Sequence, residues 1–222
     1  MGIDVLGRNT RRAALAIALV LGSAVAVAGT ASADDCPDVE LVFARGTGEP
    51  PGPGRVGQAL ADALAPLLGG RSLSTYGVNY PAGINFLNTS NGADDARGHI
   101  AWMADNCPNT RVVLGGFSQG ASVVSMLAGV APVGQRIGSI GSAPPLPPDL
   151  AGRIAAVAVF GNPGNRFGTP LSSAGMFAGR AIDLCAGGDP ICVNGGRNRA
   201  AHNVYEFPPF NEQAAGFVSA RV

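Results

Sequence analysis

The stretch Arg111-Val-Val-Leu-Gly-Gly-Phe-Ser-Gln-Gly-Ala-Ser-Val-Val-Ser125 decides how this chain folds. Val112-Val113-Leu114 is apolar and mostly β-branched, the composition of a buried strand. Ala121 to Ala128 has the composition of a helix. Between them Gly116, Ser118 and Gly120 make G-x-S-x-G, the spacing of a nucleophile elbow. A serine on so sharp a strand-to-helix turn takes a strained backbone, and side chains two residues to either side would collide with it. The turn pushes the hydroxyl out of the sheet. The helix that follows aims its first N–H groups and positive dipole end at the place where an oxyanion would form. With 33 glycines in 222 residues, the pattern alone also fits a plain glycine-rich turn. The rest of the chain has to decide between the two.

Composition narrows the field. With 46% hydrophobic and only 14% charged residues, the chain can build a core and is neither disordered nor a coiled coil. All fifteen basic residues are Arg, the formal net charge is zero and no basic patch stands out, so nucleic acid is not an expected partner. The first residues carry Arg8, Arg11 and Arg12, then a small-and-apolar run from Ala13 to Gly29, then Ala31-Ser32-Ala33, the A-x-A form of a signal-peptidase site. A run of 17 residues weak in Leu and Ile is short for a membrane span. The expectation is a signal peptide over 1–33, removed by the general or the twin-arginine route. The mature domain, 34–222, would be secreted, without stable membrane insertion and with wall association left open.

Export changes how the cysteines read. Cys36, Cys107, Cys185 and Cys192 are even in number and all lie in the mature part, which points to two disulfides. Of the three pairings, spacing favours Cys185–Cys192, closing a short loop, and Cys36–Cys107, tying the mature N-terminus to the loop before the elbow strand. A zinc site is the rival, but C-x-x-C spacing is missing and only His99 and His202 remain as further ligands. No metal is expected.

Along the chain, Val39 to Ala44 reads as a strand, followed by the Gly-rich loop Arg45 to Pro51. Such a loop can present backbone N–H groups into a cleft or serve simply as a connector. A helix is predicted over 56–68, a strand over 73–80, and a loop over 81–92 that carries apolar Ile84, Phe86 and Leu87. The next helix is predicted over 94–106, with Asp94 and Asp95 in its first turn. His99 lies mid-helix without an evident acid partner and reads as structural. After a proline-rich loop, 141–148, the apolar run from Ile154 reads as a strand covered on both faces. Ala181 to Leu184 is a last short strand and 211–222 a final helix. Strands alternating with helices make an α/β sheet the expected fold.

A working Ser118 needs a base and a group to orient it. His202 lies after the last strand, where an α/β-hydrolase places its base. The acid should fall between Ser118 and His202, among Asp149, Asp183 and Asp189. Asp189 sits between Cys185 and Cys192, a loop a disulfide would stiffen, and is the choice.

Phe43-Ala-Arg-Gly-Thr47, Asn79-Tyr-Pro-Ala82, Gly115-Gly-Phe-Ser-Gln-Gly-Ala121, Asp183-Leu-Cys185 with Asp189-Pro-Ile-Cys192, and His202-Asn-Val-Tyr205 together resemble the cutinase family, in order and over the whole mature chain. The nearest likeness is to its secreted mycobacterial serine esterases. The resemblance implies a small lidless α/β-hydrolase with five central parallel strands, a Ser118–His202–Asp189 triad, and disulfides Cys36–Cys107 and Cys185–Cys192. It implies oxyanion donors at the Gln119 backbone N–H and at Thr47, by its backbone and with its side chain as a further donor. The activity implied is cofactor-free hydrolysis, by a monomer, of short- to medium-chain acyl esters or cutin-like polyesters. A lipid-directed hydrolase is the alternative, acting on triglyceride, phospholipid or cell-envelope esters. An inactive binding or antigenic protein is the third reading, which the intact Ser, His, Asp and oxyanion loop argue against.

Overall fold

The structure is a computed structural model and describes residues 36–131 and 140–222. The segment 1–33, expected to be a signal peptide, lies outside these. Five strands form one parallel sheet: β1 (Val39–Ala44), β2 (Leu73–Gly77), β3 (Arg111–Phe117), β4 (Ile154–Phe160) and β5 (Ala181–Leu184). Their order is β2-β1-β3-β4-β5. The α/β fold expected from the sequence is therefore present.

Side chains alternate across the sheet because successive Cβ atoms of a strand point to opposite faces. Val42, Ala44, Val112, Leu114, Val157 and Val159 share one core with α2 (Thr89–Asn106) and α3 (Gln119–Leu127). Leu41, Phe43, Val113, Ala156 and Ala158 share the other with α1 (Gly54–Leu64) and α6 (Phe210–Ser219). Burying each large apolar side chain contributes about 1.5–3 kcal/mol against the entropy of ordering the chain. Two short helices complete the described elements, α4 (Pro148–Ala151) and α5 (Pro163–Arg166). β2 lies on one side of β1 and β3 on the other, so the loops leaving β1 and β3 diverge at the carboxyl edge. A crevice opens there.

Of the boundaries that differ from the sequence reading, three have a cause visible in the structure. α2 begins at Thr89, five residues before Asp94, so neither Asp94 nor Asp95 lies in its first turn. The preceding 3-10 turn Phe86–Asn88 runs into it, with the Thr89 and Ser90 hydroxyls donating to the Phe86 and Leu87 carbonyls. Asp95 instead accepts from the Tyr76 hydroxyl and the Asn79 N–H, tying α2 to the end of β2. β2 itself stops at Gly77, because the Arg45 guanidinium, rather than a neighbouring strand, takes the Val78 and Tyr80 carbonyls. The helix predicted over 56–68 is α-helical only to Leu64 and finishes as a 3-10 turn, Ala65–Leu68, where Pro66 has no N–H to donate.

His99 also has a partner that the sequence reading missed. Its Nε2 lies 2.9 Å from Glu40 Oε2 on β1, and its ring stacks on Tyr76 at 3.6 Å. The two disulfides join Cys36 to Cys107 and Cys185 to Cys192.

Candidate active site

Ser118 stands between β3 and α3 with φ 55° and ψ −112°, outside the regions open to most L-residues. Holding it there costs on the order of 1–3 kcal/mol, which the surrounding structure must supply. The Ser118 N–H donates to the Phe160 carbonyl at 2.9 Å, pinning the turn to β4. A Cβ on Gly120 would overlap the Ala44 carbonyl of β1, and one on Gly116 would overlap the Gly120 carbonyl. Both glycines of the motif are thus required by close backbone approach.

His202 lies in a 3-10 turn, Arg199–Asn203, that brings its ring over the elbow. Its Nε2 is 2.9 Å from Ser118 Oγ, and its Nδ1 is 2.7 Å from Asp189 Oδ2. An ionised carboxylate only accepts, so this arrangement places the ring hydrogen on Nδ1 and leaves Nε2 to accept from the serine. Gly161, at φ +55°, makes room for the ring: a Cβ there would stand 2.8 Å from His202 Cε1.

Asp189 is fully buried. Burial works to raise its pKa, but hydrogen bonds from His202, the Tyr205 hydroxyl and the Ile191 N–H outweigh it and hold the carboxyl below its ordinary value. Asp183 does different work. It accepts from Asn162 Nδ2 and from the Leu171 and Ser172 N–H groups, bracing the chain after β4. Asp149 falls in the first turn of α4. Of the three carboxylates weighed in the sequence, only Asp189 meets a histidine of the elbow.

The loop leaving β1 is held from inside. Arg45, only 4% exposed, donates to the carbonyls of Glu49, Val78 and Tyr80, and the Tyr80 hydroxyl donates to the Arg45 carbonyl at 2.6 Å. The Gly46 N–H is taken by Glu49 Oε2 at 2.6 Å and the Gly48 N–H by the Ala82 carbonyl at 2.7 Å. Thr47, between them, lines the cleft with Gln119. The Gln119 N–H is the first of α3 and has no acceptor in its own helix. The Thr47 hydroxyl is committed sideways. It donates to Gln119 Oε1 at 2.9 Å, Gln119 Nε2 donates to Thr89 Oγ1 at 2.9 Å, and Thr89 donates to the Phe86 carbonyl at 2.6 Å. Thr47 therefore has its backbone N–H, rather than its hydroxyl, to offer the cleft.

The cleft above Ser118 has a volume of about 380 Å³, within the range of small-ligand sites. Phe86, Ile140, Pro163 and Ile191 give it apolar walls, and Ile84 and Leu87 are exposed on the loop that carries Phe86.

The sequence reading assigned no role to Tyr205, Arg45, Glu49 or Gly161. Tyr205 was legible in part, as the H-x-x-Y spacing from His202. The others hold or clear backbone by contacts that spacing does not encode.

The chain is a serine carboxylic ester hydrolase, as its family and relatives show. The chain belongs to the cutinase family, whose model, described as Cutinase, matches residues 35–222. Among relatives, it is 49% identical over 213 residues to "Probable carboxylesterase Culp3" of Mycobacterium tuberculosis, covering 94% of this chain and 79% of that protein. It is 50% identical over 198 residues to "Phospholipase Culp4" of the same organism, covering 89% and 84%. Among solved structures, Trichoderma reesei cutinase in complex with a C11Y4 phosphonate inhibitor superposes with a TM-score of 0.66 at 33% identity, over 83% of this chain and 76% of that one.

Proposed function

We propose that the protein is a secreted esterase in which Ser118 is the nucleophile, His202 the base and Asp189 the acid that orients it. The preferred substrates are short- to medium-chain acyl esters or cutin-like polyesters. The observation that carries this reading is the continuous chain Asp189 Oδ2–His202 Nδ1 and His202 Nε2–Ser118 Oγ, at 2.7 and 2.9 Å, ending at the floor of the cleft.

In the first half-reaction, Ser118 Oγ bonds to the ester carbonyl carbon while its proton passes to His202 Nε2. The carbonyl oxygen becomes an oxyanion, met by the backbone N–H groups of Gln119 and Thr47. Collapse breaks the bond to the alcohol, which leaves with the proton from His202. Water then gives a proton to the same nitrogen and attacks the acyl-enzyme. The acid is released and Ser118 is reprotonated. Asp189 stays ionised throughout and stabilises the imidazolium, consistent with its lowered pKa.

Export rests on the sequence: the apolar run from Ala13 and the Ala31-Ser32-Ala33 site support a mature start near Asp34. Among the described residues no helix is long and apolar enough to cross a membrane. Intact-mass analysis of the exported protein checks the start.

The test of the site is Ser118→Ala. Hydrolysis of p-nitrophenyl butyrate should fall on the order of a thousandfold or more in a protein that still folds. A serine-directed organophosphate should label the wild type at Ser118 and leave the variant unlabelled. Near-normal turnover by the variant would overturn the assignment.

A further inference from the structure

Arg166 is the one Arg among the described residues lining the cleft, and no Asp or Glu accompanies it there. It closes α5, just beyond the carboxyl end of β4, and is solvent-exposed at the rim. Among the described residues, Arg166 takes part in none of the ion pairs. Its Nη1 donates to the Pro190 carbonyl at 2.9 Å, and its guanidinium lies 5.8 Å from the Phe167 ring centre. Pro190 directly follows Asp189, inside the loop closed by Cys185 and Cys192. The cation is therefore tethered to the loop that carries the acid.

An anchored, unpaired guanidinium is a poor companion for a purely neutral substrate. It presents parallel N–H donors that match two oxygens of a phosphate, and apolar walls nearby weaken the screening of its charge. The same cleft offers Phe86, Ile140, Pro163 and Ile191 to alkyl chains, with Ile84 and Leu87 exposed beside it. Apolar walls plus one cation fit an amphiphile that carries its anion a few bonds from a carboxylic ester. A glycerophospholipid has that form, with its acyl esters and phosphodiester on one glycerol.

We propose that Arg166 is a specificity-determining residue that holds the phosphodiester of a glycerophospholipid while one of its acyl esters lies at Ser118. The proposal rests on the reading of Ser118 as nucleophile and adds the residue that would favour a phospholipid among the acyl esters this site takes. The bond broken is the carboxylic ester, by the steps given above. The phosphodiester stays intact and serves only as a handle.

The experiment compares two soluble substrates that differ only in the headgroup, dihexanoyl-phosphatidylglycerol below its micellar concentration and dihexanoylglycerol. The readout is the ratio of their kcat/KM values. Arg166→Gln should lower that ratio on the order of tenfold, the loss expected for a charged hydrogen-bond partner at a partly solvated site. Arg166→Lys, which keeps the charge but not the fork, should fall between the two. Raising salt from about 50 to about 500 mM should lower the wild-type ratio and leave the Arg166→Gln ratio flat. A ratio unchanged by Arg166→Gln, or equal losses on both substrates, would overturn the proposal. So would a loss confined to mono-p-nitrophenyl adipate, whose carboxylate sits on the acyl side. A wild type that cleaves p-nitrophenyl butyrate and dihexanoylglycerol but no phospholipid refutes this proposal alone. One that cleaves no ester refutes the reading of the site as well.

Discussion

Tyr205 donates its hydroxyl hydrogen to Asp189 Oδ2, the same oxygen that His202 Nδ1 contacts. The hydroxyl oxygen accepts in turn from the Ala186 N–H at 3.0 Å, so the phenol bridges the acid and the strand-end that carries it. Tyr205 is fully buried against Phe117, Phe160 and Phe210. Burial and the bond to Asp189 push its own pKa well above the ordinary value, so it remains a donor at any working pH. The carboxylate is thus gripped from both sides and cannot turn away from the imidazole.

Tyr205→Phe should keep the packed ring and remove only that grip. We expect kcat on p-nitrophenyl butyrate to fall about tenfold with KM little changed, and stability to drop by about 1–3 kcal/mol from the unpaired Ala186 N–H and carboxylate. Urea denaturation and steady-state kinetics on one preparation check both. An unaltered kcat would reduce Tyr205 to a packing residue.

The two aspartates near the sheet edge should separate cleanly. Asp189→Asn deprives His202 of the partner that fixes its tautomer, and turnover should fall by several orders of magnitude in a folded protein with KM altered little. Asp183→Asn replaces an acceptor that serves three donors and should cost about 1–3 kcal/mol of stability while leaving the chemistry. Loss of turnover in a folded Asp183→Asn protein would reverse the assignment.

Stability should also carry the signature of Asp189 at low pH. Its folded-state pKa lies below the ordinary 3.8, so in acid the unfolded chain binds the proton first. The stability it contributes is therefore complete above that ordinary value and is lost as pH falls below it, through the folded-state value. Denaturation midpoints of the wild type and Asp189→Asn, followed downward from about pH 6, should show the steeper acid loss in the wild type. Parallel curves would mean that the carboxyl is not held ionised by its neighbours.

Ser118 should display a trade between strain and chemistry. At φ 55° and ψ −112°, glycine is unstrained where alanine is not. Relief of about 1–3 kcal/mol is offset by about 0.4–1 kcal/mol of extra unfolded-state entropy. Ser118→Gly should thus melt higher than Ser118→Ala, with both inactive. Equal melting temperatures would show that the elbow is not strained.

The sequence by itself determined the elements and their kind. Short, nearly unbroken apolar runs at Val39, Val112 and Ile154 mark strands because a parallel strand covered by helices on both faces has no side left for polar residues. Gly116, Ser118 and Gly120 identify the elbow, since a turn so tight leaves no room for a Cβ at either flanking glycine. Ser118, Asp189 and His202 stood out for the same reason: nucleophile, acid and base keep an order along the chain that the sheet topology imposes.

Tertiary structure decided what depends on distance between remote segments. The sequence left three carboxylates to weigh by loop position, and only the folded geometry shows Asp189 within 2.7 Å of His202 Nδ1 while Asp183 turns to Asn162. The commitment of the Thr47 hydroxyl to Gln119 spans 72 residues, and the Glu40–His99 pair spans 59. Arg45 stands in the sequence only as the start of a Gly-rich loop, and the carbonyls of Glu49, Val78 and Tyr80 meet it only in the fold. Local pattern sets which residues face inward, because backbone periodicity is local. Which inward-facing polar groups meet is set by how the strands stack and the loops cross, as for Thr47 with Gln119 and Glu40 with His99.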